Sequence, residues 1–234
     1  MANNIVNVGN LKIPKDEVLR YLGYKAEKQI LDKSLDELID SVIEESKTLI
    51  EPKFIFNKYV IEVKEDGVYF KGTNLVLTGN DIRNHLKDSK ESVLMAVTVG
   101  NRIEQRIKLY EKISMTKALI LDSCATTAVE EICDVIEEKI KKEAEEKGLS
   151  ITFRYSPGYG DLPLEIQRDL INTIGAEKRI GLTVSSHYLL FPRKSVTAII
   201  GFIPRNKEER KKGCEVCKNY ENCSFRREGL VCGS

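Results

Sequence analysis

The stretch ITFRYSPGYGDLPLEIQ, residues 151–167, carries more information than any other part of the chain. Its opening, Ile151 to Tyr155, is β-branched or aromatic apart from Arg154, and predicts a strand. Pro157 then removes an amide donor and holds Ser156 to extended conformations. Gly158 and Gly160 permit positive φ and let a ligand approach bare backbone. Pro163 suits the first turn of a helix, expected from Leu164 to about Ile174. A strand thus delivers Arg154 to the edge of a rigid, glycine-opened loop. A guanidinium placed there can grip a carboxylate through two parallel hydrogen bonds. Tyr159 adds an aromatic face and a hydroxyl. The same residues also fit a plain strand-to-helix turn with Arg154 on the surface.

Working outward, SVLMAVTVG at 92–100 is nearly all apolar, so it predicts a strand buried on both faces. Residues 101–112 and 114–147 predict two helices divided near Ser114. The longer one carries an apolar stripe through Leu121, Ala125, Ala128, Ile132, Val135 and Ile136. Its charged last turns, EEKIKKEAEEKG, are expected to project into solvent. Before it, residues 26–50 have helical spacing at Leu31, Leu35, Leu38 and Val42, and Pro52 stops that helix. FIFNKYVIEVKE, the turn at Asp66-Gly67, VYFKG and NLVLTG predict a small antiparallel meander, followed by a short helix from Asp81 to Leu86. Two more strands are expected near Gly181–Ser185 and Ser195–Ile203. Together these predict an α+β fold: a mainly antiparallel twisted sheet with long helices, spanning 1–203. Residues 204–234 form a Cys-rich tail.

A chain of 234 residues with a 41% hydrophobic fraction can bury a real core, and 31% charged residues give a well-solvated surface. The net charge of +1 supplies no field toward nucleic acid or anionic membrane. The opening MANNIVNVGNLKIPKDEV lacks a signal-peptide pattern, and no apolar run approaches the ~20 residues a membrane span requires. A cytoplasmic protein is expected. In a reducing compartment the tail cysteines Cys214, Cys217, Cys223 and Cys232, spaced C-x2-C-x5-C-x8-C, point to a metal rather than disulfides. Four thiolates suit an iron–sulfur cluster or zinc, and Lys211, Lys212, Lys218, Arg226 and Arg227 offset their charge. Cys124 and Cys133, inside the long helix, are read as small buried side chains.

Arg-x-x-x-Gly-Tyr, here Arg154, Gly158 and Tyr159, resembles the S-adenosylmethionine-binding motif of the activation domain of cobalamin-dependent methionine synthase. The wider string RYSPGYGDLPLEIQ, the strand ending Thr98-Val99-Gly100 and the segment FPRKSVTAIIGF look like the short, stand-alone branch of that family, over about residues 25–203. The resemblance implies S-adenosylmethionine binding by Arg154, Ser156, Gly158 and Tyr159. It also implies a glutamate on the preceding long helix; Glu130 matches by position, with Glu131 its neighbour. The large-enzyme form has an aspartate near its start that finds no counterpart here. By the same resemblance the protein supports reductive methylation of cob(II)alamin held on a separate cobalamin-dependent methionine synthase or related corrinoid protein. A flavodoxin- or ferredoxin-like donor supplies the electron. Cobalamin belongs on that partner, because neither His85 nor His187 sits in the family's Asp-x-His-x-x-Gly setting. His85 is expected at the surface; His187, in SSHYLLFP, falls near the family's site, with both a cleft-lining and an outside position left open. Two other readings stay open: a non-catalytic module that binds S-adenosylmethionine or a corrinoid protein, and an iron–sulfur electron carrier.

Overall fold

The computed structural model describes residues 11–25 and 29–205. Its spine is the apolar run expected as a strand. From Ser92 to Thr98 every side chain of β4 (Glu91–Thr98) is buried, so helices must cover both faces of its sheet. β4 pairs with β1 (Lys53–Val63) on one side and β8 (Ser195–Pro204) on the other. β2 (Val68–Phe70), β3 (Val76–Leu77) and β5 (Leu149–Ile151) extend the sheet to six antiparallel strands in the order β3-β2-β1-β4-β8-β5. β6 (Thr183–Val184) and β7 (Leu190–Phe191) form a separate hairpin.

Strand alternation sorts the core into two layers. Val93, Met95, Val97, Ala198 and Ile200 face one side. There they meet α1 (Lys15–Tyr21), α2 (Lys33–Leu49), α4 (Arg102–Ile113) and α5 (Met115–Glu145). Leu94, Ala96 and Ile199 face the other side, under α3 (Asn80–Leu86), α6 (Ile166–Ile174) and α7 (Ala176–Ile180). The fold is α+β with an antiparallel sheet and long helices.

Several details differ from the sequence reading. α2 begins at Lys33 rather than near residue 26, because Asp32 accepts the Ser34 N–H and caps it. The charged end of α5 does not project into solvent. Ile140 and Ala144, four residues apart, are buried, and Lys58–Glu143 (2.6 Å) and Lys147–Glu91 (2.8 Å) tie that end to the sheet. Val135 lies off the buried stripe and is exposed. α1, α7 and β7 are too short to have shown a period. The tail, with Cys214, Cys217, Cys223 and Cys232, lies outside the described residues. Among the described residues no helix is long and apolar enough to cross a membrane, and no cluster of His, Cys, Asp and Glu could hold a metal ion.

Candidate functional site

The expected strand 151–155 is interrupted, and the interruption builds the site. Ile151 of β5 pairs with Phe202, whereas the next pairing is the isolated bridge of Tyr155 to Ile199. Four residue steps on this edge therefore oppose three on β8, which leaves one extra residue as a bulge. Thr152 and Phe153 both turn toward α3: the His85 imidazole packs edge-on to Phe153 with centroids 4.5 Å apart, and its Nε2 lies 2.9 Å from Thr152 Oγ1. Tyr155 packs in the same layer. Arg154 is sent the other way, onto α5. In an unbroken strand the alternation that places Ile151 beside α5 would have pointed Arg154 away from it.

On α5, Glu130, Asp134 and Glu137 recur at four- and three-residue steps and form one stripe. Arg154 lies across it. Its Nη2 donates to Glu130 Oε2 at 3.2 Å, Nη1 sits 2.8 Å from Asp134 Oδ1, and Nε is 3.2 Å from Glu137 Oε2. The Arg154 side chain is only 9% exposed, while Asp134 is 65% exposed. Nη1 is buried and completes no well-aligned hydrogen bond, so Asp134 serves it as a charge partner. Burial disfavours the Arg154 charge, but Cys133, Glu137, Asp134 and Glu130 outweigh it and leave the guanidinium pKa raised. The surface Arg154 of the plain-turn reading is thereby excluded. Glu130, not Glu131, reaches it. Glu131 has its carboxyl pKa pushed up, first by burial and then by Asp134 and Glu17.

The two loop glycines play different parts. Gly158 has φ +88°, and a Cβ there would meet only Leu164 Cδ1, at 3.5 Å, so space lies open before its backbone. Gly160 has φ +54°, but a Cβ there would collide with the Tyr155 hydroxyl and the Asp81 carboxylate. It permits close packing within the protein, not approach by a ligand. Asp161 locks this packing by accepting the Asn80 and Asp81 N–H groups at 2.6 and 3.0 Å, at the start of α3. The half-buried Ser156 accepts the Tyr159 N–H at 3.1 Å through its carbonyl. Tyr155 donates its hydroxyl to the Tyr159 carbonyl at 3.1 Å, and the exposed Tyr159 ring stands edge-on to Tyr155 with centroids 6.0 Å apart. Arg154 and Glu130 are thus brought together, whereas Tyr159 is placed on the α3 side, against Tyr155.

His85 corrects an expectation: it is 5% exposed, not a surface residue. Ile82, His85 and Leu86 share the face of α3 that packs on the sheet. His187 is exposed beside Ser186, in the turn between β6 and β7. Cys124 and Cys133 are buried free thiols, and burial pushes Cys124 up to about 12. Sequence reasoning missed Asp134, Glu137, Thr152 and Asp161. The first two could have been found by stepping four and seven residues on from Glu130.

No family model matches the sequence, and no curated protein matches it. Among solved structures the fold is similar to a crystal structure of the MetH reactivation domain bound to AdoHcy. The TM-score is 0.66, and the match covers 97% of this chain and 85% of that one at 11% sequence identity. At that identity the likeness establishes a shared fold.

Proposed function

We propose that this chain binds S-adenosylmethionine and supports reductive methylation of cob(II)alamin carried by a separate cobalamin-dependent methionine synthase or related corrinoid protein. The observation that carries this reading is the bulge, which seats a buried arginine of an Arg-x-x-x-Gly-Tyr string against Glu130. The residues suit such a ligand. Arg154 Nη1 is a buried donor with hydrogen-bonding capacity left. Open space fronts Gly158. The three carboxylates outnumber the one guanidinium, which favours a cationic ligand.

S-adenosylmethionine, when bound, supplies an electrophilic methyl on a positively charged sulfur. The chain's own residues bind and orient. Arg154 takes the ligand carboxylate, displacing Asp134, the most exposed of its three partners. Glu130 faces the ligand's ammonium group. Ser156 and Gly158 offer backbone, whereas Tyr159, held on the α3 side against Tyr155, stands outside this arrangement. Positioning and local electrostatics are the protein's contribution to the transfer. The corrinoid arrives on its partner, and the electron from a flavodoxin- or ferredoxin-like donor. Cys214, Cys217, Cys223 and Cys232 would hold an iron–sulfur cluster or zinc. This assignment rests on the four-thiolate donor set alone.

Calorimetry with S-adenosylmethionine tests the reading. Wild type should bind. Arg154→Ala should lose about 2 kcal/mol or more, as expected when one partner of a buried charged hydrogen bond is removed. Equal affinity in both would take Arg154 out of the site, and no binding to wild type would overturn the proposal. An inactive cob(II) synthase should regain turnover with this protein, ligand and a reductant.

A further inference from the structure

We infer that Thr152 and His85 are positioning residues for Arg154: they hold open the bulge that turns its guanidinium onto α5. The inference rests on the functional reading above only where it speaks of ligand.

A bulge removes ladder partners and would relax if nothing replaced them. Here the Thr152 N–H donates to the Gly201 carbonyl at 2.9 Å, but the Gly201 N–H finds no backbone acceptor in register. It donates instead to Thr152 Oγ1, at 2.8 Å. That hydroxyl is fixed in turn by His85 Nε2, 2.9 Å away, and the same ring nitrogen lies 3.0 Å from the Phe153 carbonyl. One imidazole thus contacts both bulged residues. Its own place is set by rings on either side, Phe153 at 4.5 Å and Tyr155 at 5.0 Å between centroids. Gly201 completes the arrangement: a Cβ there would collide with the Ser89 hydroxyl and Leu86, so α3 is pressed directly on the strand opposite the bulge. Thr152 and His85 are both more than nine-tenths buried and meet on the α3 side of the sheet, whereas Arg154 lies against Glu130 of α5. They act on Arg154 only through the path of the backbone.

Without the hydroxyl, the extra residue has no reason to stay between Ile151 and Tyr155. A slip of one position would exchange the faces of Arg154 and its neighbours. The test is nuclear magnetic resonance of the full chain, following the Arg154 Nε–H signal, which faces Glu137 Oε2 at 3.2 Å, and exchange of the Gly201 amide. In Thr152→Val, nearly equal in shape, the Gly201 amide should exchange at least tenfold faster and the Arg154 signal should move toward that of a solvated arginine. S-adenosylmethionine should bind about tenfold more weakly. Thr152→Ser, which restores the hydroxyl, should return all three readings. His85→Phe, which keeps an aromatic ring in the cage, should shift the Arg154 signal in the same direction and serves if Thr152→Val does not fold. An unmoved Arg154 signal in a folded Thr152→Val or His85→Phe protein would overturn the inference, as would failure of Thr152→Ser to restore it. If wild type does not bind S-adenosylmethionine, the functional reading fails, and the Arg154 signal still decides the inference.

Discussion

Arg154 and Glu130 meet at 3.2 Å, although 24 positions of sequence separate them, and each reaches the contact from a different element. Arg154 comes from the bulged edge of the sheet, and Glu130 from the middle of α5. The contact makes Arg154 an occupied residue. A ligand carboxylate must compete with carboxylates the protein already supplies, and the outcome depends on which of them yields.

Asp134 is the one that should yield, being 65% exposed and paired to a nitrogen that completes no hydrogen bond. Asp134→Asn removes a competing charge while keeping the shape. It should tighten S-adenosylmethionine binding several-fold in calorimetry. Glu130→Gln should weaken it if Glu130 takes the role proposed for it, facing the ligand's ammonium group. Weaker binding in Asp134→Asn would mean that Asp134 is part of the ligand's own cradle.

The two glycines of the loop should separate fold from function. Gly160→Ala places a Cβ against the Tyr155 hydroxyl and Asp81 at φ +54°. It should cost about 1–3 kcal/mol and lower the melting temperature by several degrees. Gly158→Ala has room on the protein side but takes a left-handed φ of +88°, so the cost to stability should be near 1 kcal/mol. The larger effect should fall on ligand affinity, since the added methyl occupies the open space. Thermal melts with and without S-adenosylmethionine distinguish the two patterns.

Stability at high pH should report the buried acids. Burial holds the Cys124 thiol, ordinarily at 9.0, up to about 12, and the Tyr155 phenol, ordinarily at 10.0, also to about 12; Asp81 and Asp161 add to the Tyr155 shift. Both native groups stay neutral where the unfolded chain ionises. Their contribution is intact below pH 9 and is lost as pH rises from the unfolded values toward about 12. Urea midpoints should be flat from pH 7 to about 8.5 and then fall. Tyr155→Phe should lessen the part of the fall above pH 10. Folded protein treated with a thiol reagent at pH 8 should be unmodified at Cys124 and Cys133 by peptide mapping.

What was legible in the sequence follows from what leaves a local trace. The β4 run, the α5 stripe and the loop glycines announce themselves through period and composition, whereas Arg154 and Glu130 are singled out by the family resemblance, Glu130 from its position in the long helix. The bulge leaves no such trace. Ile151 to Tyr155 looks like an ordinary strand, because the extra residue exists only relative to β8, some 50 positions later. His85 is buried against expectation for the same reason. A histidine at polar spacing reads as exposed until the sheet beneath α3 is known. Asp134 and Glu137 carry no local mark of a site, because their partner comes from another element.

A domain boundary near residue 204, with a Cys-rich tail beyond it, can be tested by truncation. β8 ends at Pro204, paired with Leu149, and Phe202 and Ile203 are buried just before it. Arg205 is exposed. A chain truncated after Arg205 keeps every buried residue of β8, both sides of the bulge, and the Arg154 stripe. It should fold, melt within a few degrees of the full chain, and bind S-adenosylmethionine with unchanged affinity. The segment removed contains Cys214, Cys217, Cys223 and Cys232, so any metal of the anaerobically purified full chain should be lost with it. A short segment rich in charge cannot offset its ordering entropy by burial, and a metal bound by those thiolates would supply that energy. Metal analysis with an ultraviolet–visible spectrum of both proteins tests the assignment: iron with visible absorption marks a cluster, and zinc without it a structural site. Failure of the truncated chain to fold or bind would mean that the tail packs on the sheet and that the boundary near residue 204 is wrong.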